Sequence, residues 1–393
     1  MTKKLLGVFL GCIVLLALTS CAHEEAPEAV AIKRPAAPKV KPSAPPPPVL
    51  PLPPQTVTTH KIGLLLPLSG PNAALGKSML DAAEMALFET ESTSVTLLPQ
   101  DTAAPGGAGQ AALRALKEGA ELLLGPIFAV DVGAVKPLLR GRNVNLLCFS
   151  TDQNVVGDSV FTLGFLPAQQ IERILLYAKE NGLEKIAVLT SDDYYGQLID
   201  QTVRHMQAQG QLTLVGIAHY TKGDLLEGNP GNERLIEEVA AFQARGADAL
   251  FIPEGGENLG HLTRLLAPHV SLKVLGSGQW DAPETLRFQG LDGSLFASTD
   301  PEERKSFEER FRQAYGTTPP RIATLAYDGV ALAIALADKG YTVENLTSSQ
   351  GFTGIEGAFR LTPQGLNERG LAILEVTPSG FRLTEHAPQY FYQ

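Results

Sequence analysis

The spacing of apolar and polar positions changes along this chain, and each change marks an element. From His60 onward, short continuous apolar runs alternate with amphipathic stretches. Residues 61–68 read as a buried strand. Residues 73–89 read as a helix whose apolar positions Leu75, Met79, Ala82, Ala83, Ala86 and Leu87 share one face. Strand 95–100, helix 109–118, the run Leu122-Leu123-Leu124, a helix near 131–140 and strand 143–149 follow. A second series begins near Phe165 with helix 167–181, and its strands are 186–189, 212–218, 249–253 and 273–276. Continuous apolar strands separated by helices of roughly 10–15 residues predict parallel sheets covered on both faces. The expected fold class is α/β, with two doubly wound parallel-sheet lobes. In such sheets ligands bind beyond the carboxyl ends of the strands, so two facing lobes make a cleft there.

The residues before His60 follow another pattern. Lys3 and Lys4 precede an apolar stretch at 5–18, broken by Gly7, Gly11 and Cys12. It is short for a membrane span, and small residues end it, as in a secretory signal. Leu18-Thr19-Ser20-Cys21 resembles the bacterial lipobox cut by the lipoprotein signal peptidase. The resemblance implies that 1–20 is a lipoprotein signal peptide and that Cys21 becomes the acylated first residue. An ordinary signal peptide with a chance cysteine is the other reading. Two or three acyl chains anchor stably, whereas one binds membranes only marginally. Ten prolines then lie between Pro35 and Pro54, including Pro45-Pro46-Pro47-Pro48, and 21–59 is expected to be a disordered Pro-rich tether. Extended polyproline II at ~3.1 Å per residue would hold a domain up to roughly 100 Å from the lipid. A proline-rich ligand for a recognition domain is the alternative, but the position between an anchor and a globular body favours a spacer. By resemblance to enteric lipoproteins, Ala22 and His23 after the cysteine favour the outer membrane over the inner.

Composition sharpens this picture in two ways. Once Cys12 leaves with the signal and Cys21 carries lipid, only Cys148 remains, inside the apolar run 144–149. A lone thiol forms no internal disulfide, so the body depends on its own core, for which 44% hydrophobic residues suffice. The net charge is −10, and no basic patch stands out, so nucleic acid is not an expected partner.

Three blocks then carry a family resemblance. Lys61-Ile62-Gly63-Leu64-Leu65-Leu66-Pro67-Leu68-Ser69-Gly70-Pro71 is similar to the opening strand and loop of type I periplasmic binding proteins, the leucine-binding group. Ile186-Ala187-Val188-Leu189-Thr190-Ser191-Asp192-Asp193-Tyr194-Tyr195-Gly196 resembles a later strand ending in a Tyr-Gly loop, and Phe352-Thr353-Gly354-Ile355-Glu356-Gly357-Ala358-Phe359-Arg360, with Gly365 and Arg369, the closing block. The resemblance implies two lobes joined by three hinge crossings, placed near Phe165, Gly290 and Glu368. The N-terminal lobe would be 60–166 and 291–367, and the C-terminal lobe 167–290 and 368–393. It also implies closure on a ligand by hinge bending. Leu124-Gly125-Pro126-Ile127-Phe128, together with the lipobox, further resembles the lipoprotein activators of class A penicillin-binding proteins. These bind and stimulate a peptidoglycan synthase. They commonly carry a helical-repeat domain where this chain has its tether.

An amino-acid receptor must satisfy a zwitterion, because buried unpaired charge is costly. The stretch matching the family's serine-rich carboxylate loop is Gly125-Pro126-Ile127-Phe128, which has no hydroxyl. Ser150 and Thr151 keep hydroxyls in the next loop, and the resemblance makes Thr151 a carboxylate contact and Tyr195 an aromatic contact. The ammonium-binding acid of the family falls near Gly278 and is missing, with Glu254 or Asp281 as substitutes. The cleft candidates are therefore Ser69, Asp101, Phe128, Ser150, Thr151, Tyr195, Glu254 and Trp280. Each has a plainer reading. Asp101 caps a turn, Phe128 packs between lobes, Tyr195 packs a strand-to-helix turn, Glu254 is an exposed loop acid and Trp280 is partly buried.

Catalysis finds little support. Ser277 lacks nucleophile-elbow spacing, and Cys148 has no histidine nearby in sequence. His261 and His269 are not at zinc-pair spacing, and the glycine-rich 105–109 lacks the Walker lysine. No cofactor or metal is expected. The chain reads as a lipid-anchored, non-catalytic binding protein of the periplasmic face. Its expected partners are a class A penicillin-binding protein, the membrane through its lipid, and possible small molecules in the cleft. An ABC-importer receptor for amino acids or related amides is the alternative.

Overall fold

A computed structural model describes residues 59–391; Cys21, the leader and the proline tether lie outside the described residues. Strand β1 (His60–Leu66) is the centre from which the first lobe grows. Its side chains alternate, so Ile62, Leu64 and Leu66 face one hydrophobic cluster and Leu65 the opposite one. Helix α1 (Ala73–Thr90) covers the first face, and β2 (Val95–Asp101) pairs parallel beside β1. Helix α2 (Gly107–Lys117), β3 (Leu122–Leu124), α3 (Ala129–Val135), β4 (Asn145–Cys148) and β5 (Val160–Thr162) complete the wind. The five-stranded parallel sheet has the order β2-β1-β3-β4-β5, with α2 and α3 on the Leu65 face. Each fully buried leucine of β1 contributes roughly 1.5–3 kcal/mol by leaving water.

The second lobe starts with α4 (Pro167–Glu180) and repeats the plan through β6 (Lys185–Ser191), α5 (Tyr194–Ala208), β7 (Thr213–Tyr220), α6 (Pro230–Ala244), β8 (Ala249–Ile252), α7 (Gly256–Leu266) and β9 (Lys273–Gly276). β10 (Leu295–Ser298) pairs parallel with β9 and so belongs to this sheet. The chain then returns to the first lobe. Helix α8 (Pro301–Tyr315) sends Phe307 and Phe311 into the first core, and α9 (Ala323–Leu336) packs on α1. After α10 (Val343–Leu346), strands β11 (Phe352–Gly354), β12 (Gly357–Leu361) and β13 (Asn367–Arg369) form a small antiparallel sheet on the same side. β14 (Ala372–Thr377) and β15 (Gly380–Glu385) close the seven-stranded second sheet, ordered β15-β14-β10-β9-β8-β6-β7.

The α/β architecture with parallel sheets in two lobes is present, with two differences. The second sheet ends in an antiparallel margin, because β14 runs against both β10 and β15. The second crossing follows Ser298, eight residues beyond the expected Gly290, because Leu295-Phe296-Ala297-Ser298 still hydrogen-bonds to Leu275 and Gly276. A four-residue strand holding one alanine and one serine gives too little alternation to distinguish it from a loop.

Candidate functional site

The eight cleft candidates lie at or just beyond the carboxyl ends of β1, β2, β3, β4, β6, β8 and β9, Asp101 closing β2 and Tyr195 opening α5. The loops after β4 and β6 meet. Thr151, Asp152, Gln153 and Asn154 line one groove with Tyr194, Tyr195, Gln197, Leu198 and Gln201, and Asn154 Nδ2 donates to Tyr194 Oη at 3.0 Å across it. The local fold explains the lobe-two side. Asp193 caps α5, its Oδ1 accepting from the N–H groups of Tyr195 (2.9 Å) and Gly196 (3.1 Å). Burial opposes its charge, but the Ser191 hydroxyl and those two donors outweigh it, holding the carboxyl below the usual range. Gly196 is required because a Cβ there would strike the carbonyl of Ser191. The Tyr-Gly pair is thus set by backbone packing.

The other candidates separate by burial. Ser69 is exposed and Asp101 half-buried, and Asp101 Oδ1 accepts from Leu68 N and Ala103 N, both at 2.9 Å. Burial raises the Asp101 pKa, but the Ser69 hydroxyl and these N–H groups bring it below the usual carboxylate range. Its carboxylate therefore shapes the turn. Phe128 lies half-buried against the first core at the start of α3. Ser150 is buried, with Oγ accepting from Asp152 N at 3.1 Å, while Thr151 is exposed in the groove. Tyr195 is half-buried and its Oη donates to Pro253 O at 3.4 Å.

Two candidates need correction. Trp280 is fully buried in the second core: its Nε1 donates to Ile252 O at 3.1 Å, and Gly276 is bare because a Cβ would strike the indole. It offers the cleft no stacking surface. Glu254 is 5% exposed rather than an open loop acid, and Oε1 accepts from Ser191 N at 3.0 Å and Thr190 Oγ1 at 3.4 Å. Here the carboxylate ties β8 to β6 from within.

Gly278 stands where the resemblance puts the ammonium-binding acid, and its backbone is engaged on both sides. Its N–H donates to Gln170 Oε1 at 2.9 Å and its carbonyl accepts from Arg321 Nη1 at 3.3 Å. A Cβ at 278 would meet the Gln170 carboxamide at 2.6 Å, so an acidic side chain here would have to displace that glutamine. Asp281 is consumed too, because Arg304 grips it with two bonds of 2.7 Å and Arg321 adds a contact at 3.2 Å.

That pairing opens a cluster absent from the eight candidates. The second crossing supplies Ser298 and Thr299, which accept from Arg321 Nη2 at 2.9 and 3.1 Å. Thr299 donates to Glu356, a fully buried carboxylate that also accepts from Thr324 at 2.9 Å. The first crossing supplies Phe165, whose ring the guanidinium groups of Arg321 (4.6 Å) and Arg369 (5.4 Å) both approach. The third crossing supplies Arg369 itself, donating to the carbonyls of Glu356 (3.1 Å) and Leu163 (3.3 Å), and Asn367, donating to Gly164 O at 2.8 Å. All three passages between lobes therefore converge on one buried ionic and aromatic knot. Glu356 and Arg369 carried a sequence signal as parts of the closing block, Phe165 as an expected crossing and Asp281 as a substitute acid, but nothing in the sequence joined them. The remaining charges lie too far apart along the chain for spacing to connect them.

The hydroxyl and thiol once weighed for catalysis are internal. Ser277 Oγ donates to Pro253 O at 2.8 Å with no exposure, and burial pushes the Cys148 thiol up to about 11. Among the described residues no group of three or more His, Cys, Asp or Glu stands ready to hold a metal, and no helix is long and apolar enough to cross a membrane.

A family model for periplasmic binding proteins matches residues 59–380, most of the chain and both lobes. The chain belongs to the periplasmic binding protein family. Its fold is that of the type I, leucine-binding-like members. A Rhodospirillum rubrum protein named as a branched-chain amino acid ABC transporter superimposes with a TM-score of 0.71 at 20% identity, covering 83% of this chain and 99% of that one. Full-length LpoA from Haemophilus influenzae gives 0.66 at 16% identity, covering 84% of this chain and 60% of its own. At these identities the likeness concerns fold. By sequence, the penicillin-binding protein activator LpoA of Haemophilus ducreyi is 24% identical over 218 residues, 52% of this chain and 35% of the relative. An uncharacterised Rickettsia prowazekii protein is 22% identical over 201 residues, 49% of this chain and 52% of the relative. The matches thus span about a third to a half of the curated relatives' lengths. The family and these neighbours are binding proteins or activators.

Proposed function

We propose that this binding-fold protein is a non-catalytic, lipid-anchored regulator of a peptidoglycan synthase on the periplasmic face of the envelope, with the outer membrane favoured. The observation that carries this reading is the closed ammonium position: Gly278 is packed against Gln170, and both substitute acids, Glu254 and Asp281, are spent inside the fold. A receptor that lost its zwitterion chemistry but kept its two-lobed body retains surfaces for a protein partner. The likeness to LpoA supports a penicillin-binding protein as that partner. Anchoring rests on Cys21, and the tether from 22 to 59 supplies reach. Affinity capture with the cognate class A synthase, paired with a glycan-polymerisation assay, tests the reading. Association and a faster polymerisation rate are expected; neither appearing would end it.

The second reading, a solute receptor of an ABC importer, is favoured by the superposition on the Rhodospirillum rubrum protein and by Thr151 and Tyr195 sharing one groove. Thermal-shift screening against amino acids and small amides separates the two. Specific stabilisation that disappears in Tyr195→Ala would reverse the ranking.

A further inference from the structure

The interlobe groove is a built surface lined by neutral polar and aromatic side chains and a single carboxylate. Its volume is about 380 Å³, and its lining includes no lysine, arginine or histidine. Its one carboxylate, Asp152, is already engaged: Oδ1 accepts from Asn154 N and Nδ2, both at 2.9 Å. An anion therefore finds no cationic side chain to pair with in this lining. Apart from Asp152, what the groove offers is neutral. Tyr194, Gln197, Leu198 and Gln201 stand at i, i+3, i+4 and i+7 on α5, one continuous stripe facing the Thr151–Asn154 loop.

The stripe has the parts of a sugar-binding surface. The Tyr194 side of the groove is open, the residue being 63% exposed, and its ring face is a negative quadrupole suited to the slightly positive axial C–H groups of a pyranose. Its hydroxyl is held by Asn154 at 3.0 Å, which fixes the ring without covering it. Gln197 and Gln201 bond through their side chains to no protein group. Each carboxamide presents donors and an acceptor together, the pattern that adjacent sugar hydroxyls or an acetamido group require. From Tyr194 to Gln201 the helix rises about 10 Å, the length of two linked pyranose rings. The volume also falls in the usual range for ligand pockets, about 300–1,000 Å³.

The geometry points to a binding site for a neutral, hydroxyl- and amide-rich saccharide of about disaccharide length, stacked on Tyr194 and hydrogen-bonded by Gln197 and Gln201. Because Thr151 and Asn154 come from one lobe and the α5 stripe from the other, the sugar bridges both. The inference is independent of the synthase reading: it concerns what fills the groove, and either can fail alone.

Such chemistry reaches the groove as a free disaccharide or as a unit of a glycan polymer, and the experiment has an arm for each. Purified full-length protein is titrated with N,N′-diacetylchitobiose by saturation-transfer-difference NMR, with leucine and a neutral tripeptide in parallel, and co-sedimented with isolated sacculi. Saturable transfer to the sugar, or retention on sacculi, is expected. Tyr194→Ala and the double variant Gln197→Ala/Gln201→Ala should each weaken it about tenfold or more while the Tm stays at the wild-type value. Tyr194→Phe, which keeps the ring, should bind nearly as well. The inference is overturned if neither sugar source binds, if these substitutions leave sugar binding unchanged, or if leucine binds instead and is lost in Tyr195→Ala.

Discussion

Asp328 shows how much a single buried group decides. It is 2% exposed, accepts from Ile355 N at 2.7 Å through Oδ1, and leaves Oδ2 without a hydrogen bond. Burial lifts its carboxyl to about 6, with Arg369 only partly offsetting the loss of water. A folded pKa above the unfolded value of roughly 3.9 means that the fold favours the protonated acid. That advantage is full below the unfolded value and is lost as pH rises through about 6, where ionisation costs on the order of 3 kcal/mol. Asp328→Asn stays neutral and retains an acceptor for Ile355. Its Tm minus that of the wild type should therefore increase between pH 4 and pH 7, measured by circular dichroism. A difference that instead decreases as pH rises would show the ionised carboxylate to be stabilised as the Arg369 counter-ion. Cys148 gives a simpler case. Fully buried, with its thiol pushed up to about 11, it should resist DTNB in the native protein at pH 8 and react promptly in guanidinium.

Among the elements, the three crossings matter most. Crossings alone form a flexible join, but here Phe165, Thr299 and Arg369 lock into one knot with Arg321 and Glu356. Asp281 fastens it from the second lobe, with side chains of Asp281 and Arg304 only 3% and 9% exposed. Removing one partner from a buried pair strands the other in low dielectric, which costs about 3–5 kcal/mol. Asp281→Ala should lower stability by that order, read as a fall in the urea midpoint at unchanged slope. The double variant Asp281→Ala/Arg304→Met should recover part of the loss, because no charge of that pair is then left unpaired. The sequence reading reached only the edge of this region. It singled out the closing block that supplies Glu356 and Arg369, but missed β10 because four residues with two small ones give no readable period. It selected Tyr195 where the structure exposes Tyr194, since adjacent tyrosines at a helix start look alike until the helix phase is known.

At the scale of the whole molecule, the reading of this protein depends on where it is displayed. If Cys21 is acylated, membrane fractionation should find the protein with the envelope, and globomycin should cause a slower-migrating precursor to accumulate. Cys21→Ala should abolish processing at this site; normal processing of that variant would remove the anchor from the proposal. The sequence by itself determined the period of the longer apolar strands and their intervening helices, and hence the parallel sheets with two covered faces. Those features are local, because side-chain alternation and turn chemistry act over a few residues. It also determined that Cys148 is the one cysteine of the globular body, so the core alone carries stability. Only the tertiary structure decided which polar groups face the cleft. Glu254, Asp281 and Trp280 all stand in loops after strands, yet each is drawn inward by partners far along the chain: Ser191, Arg304 and the carbonyl of Ile252. Burial and pairing depend on contacts between distant segments, and a linear pattern carries no term for them.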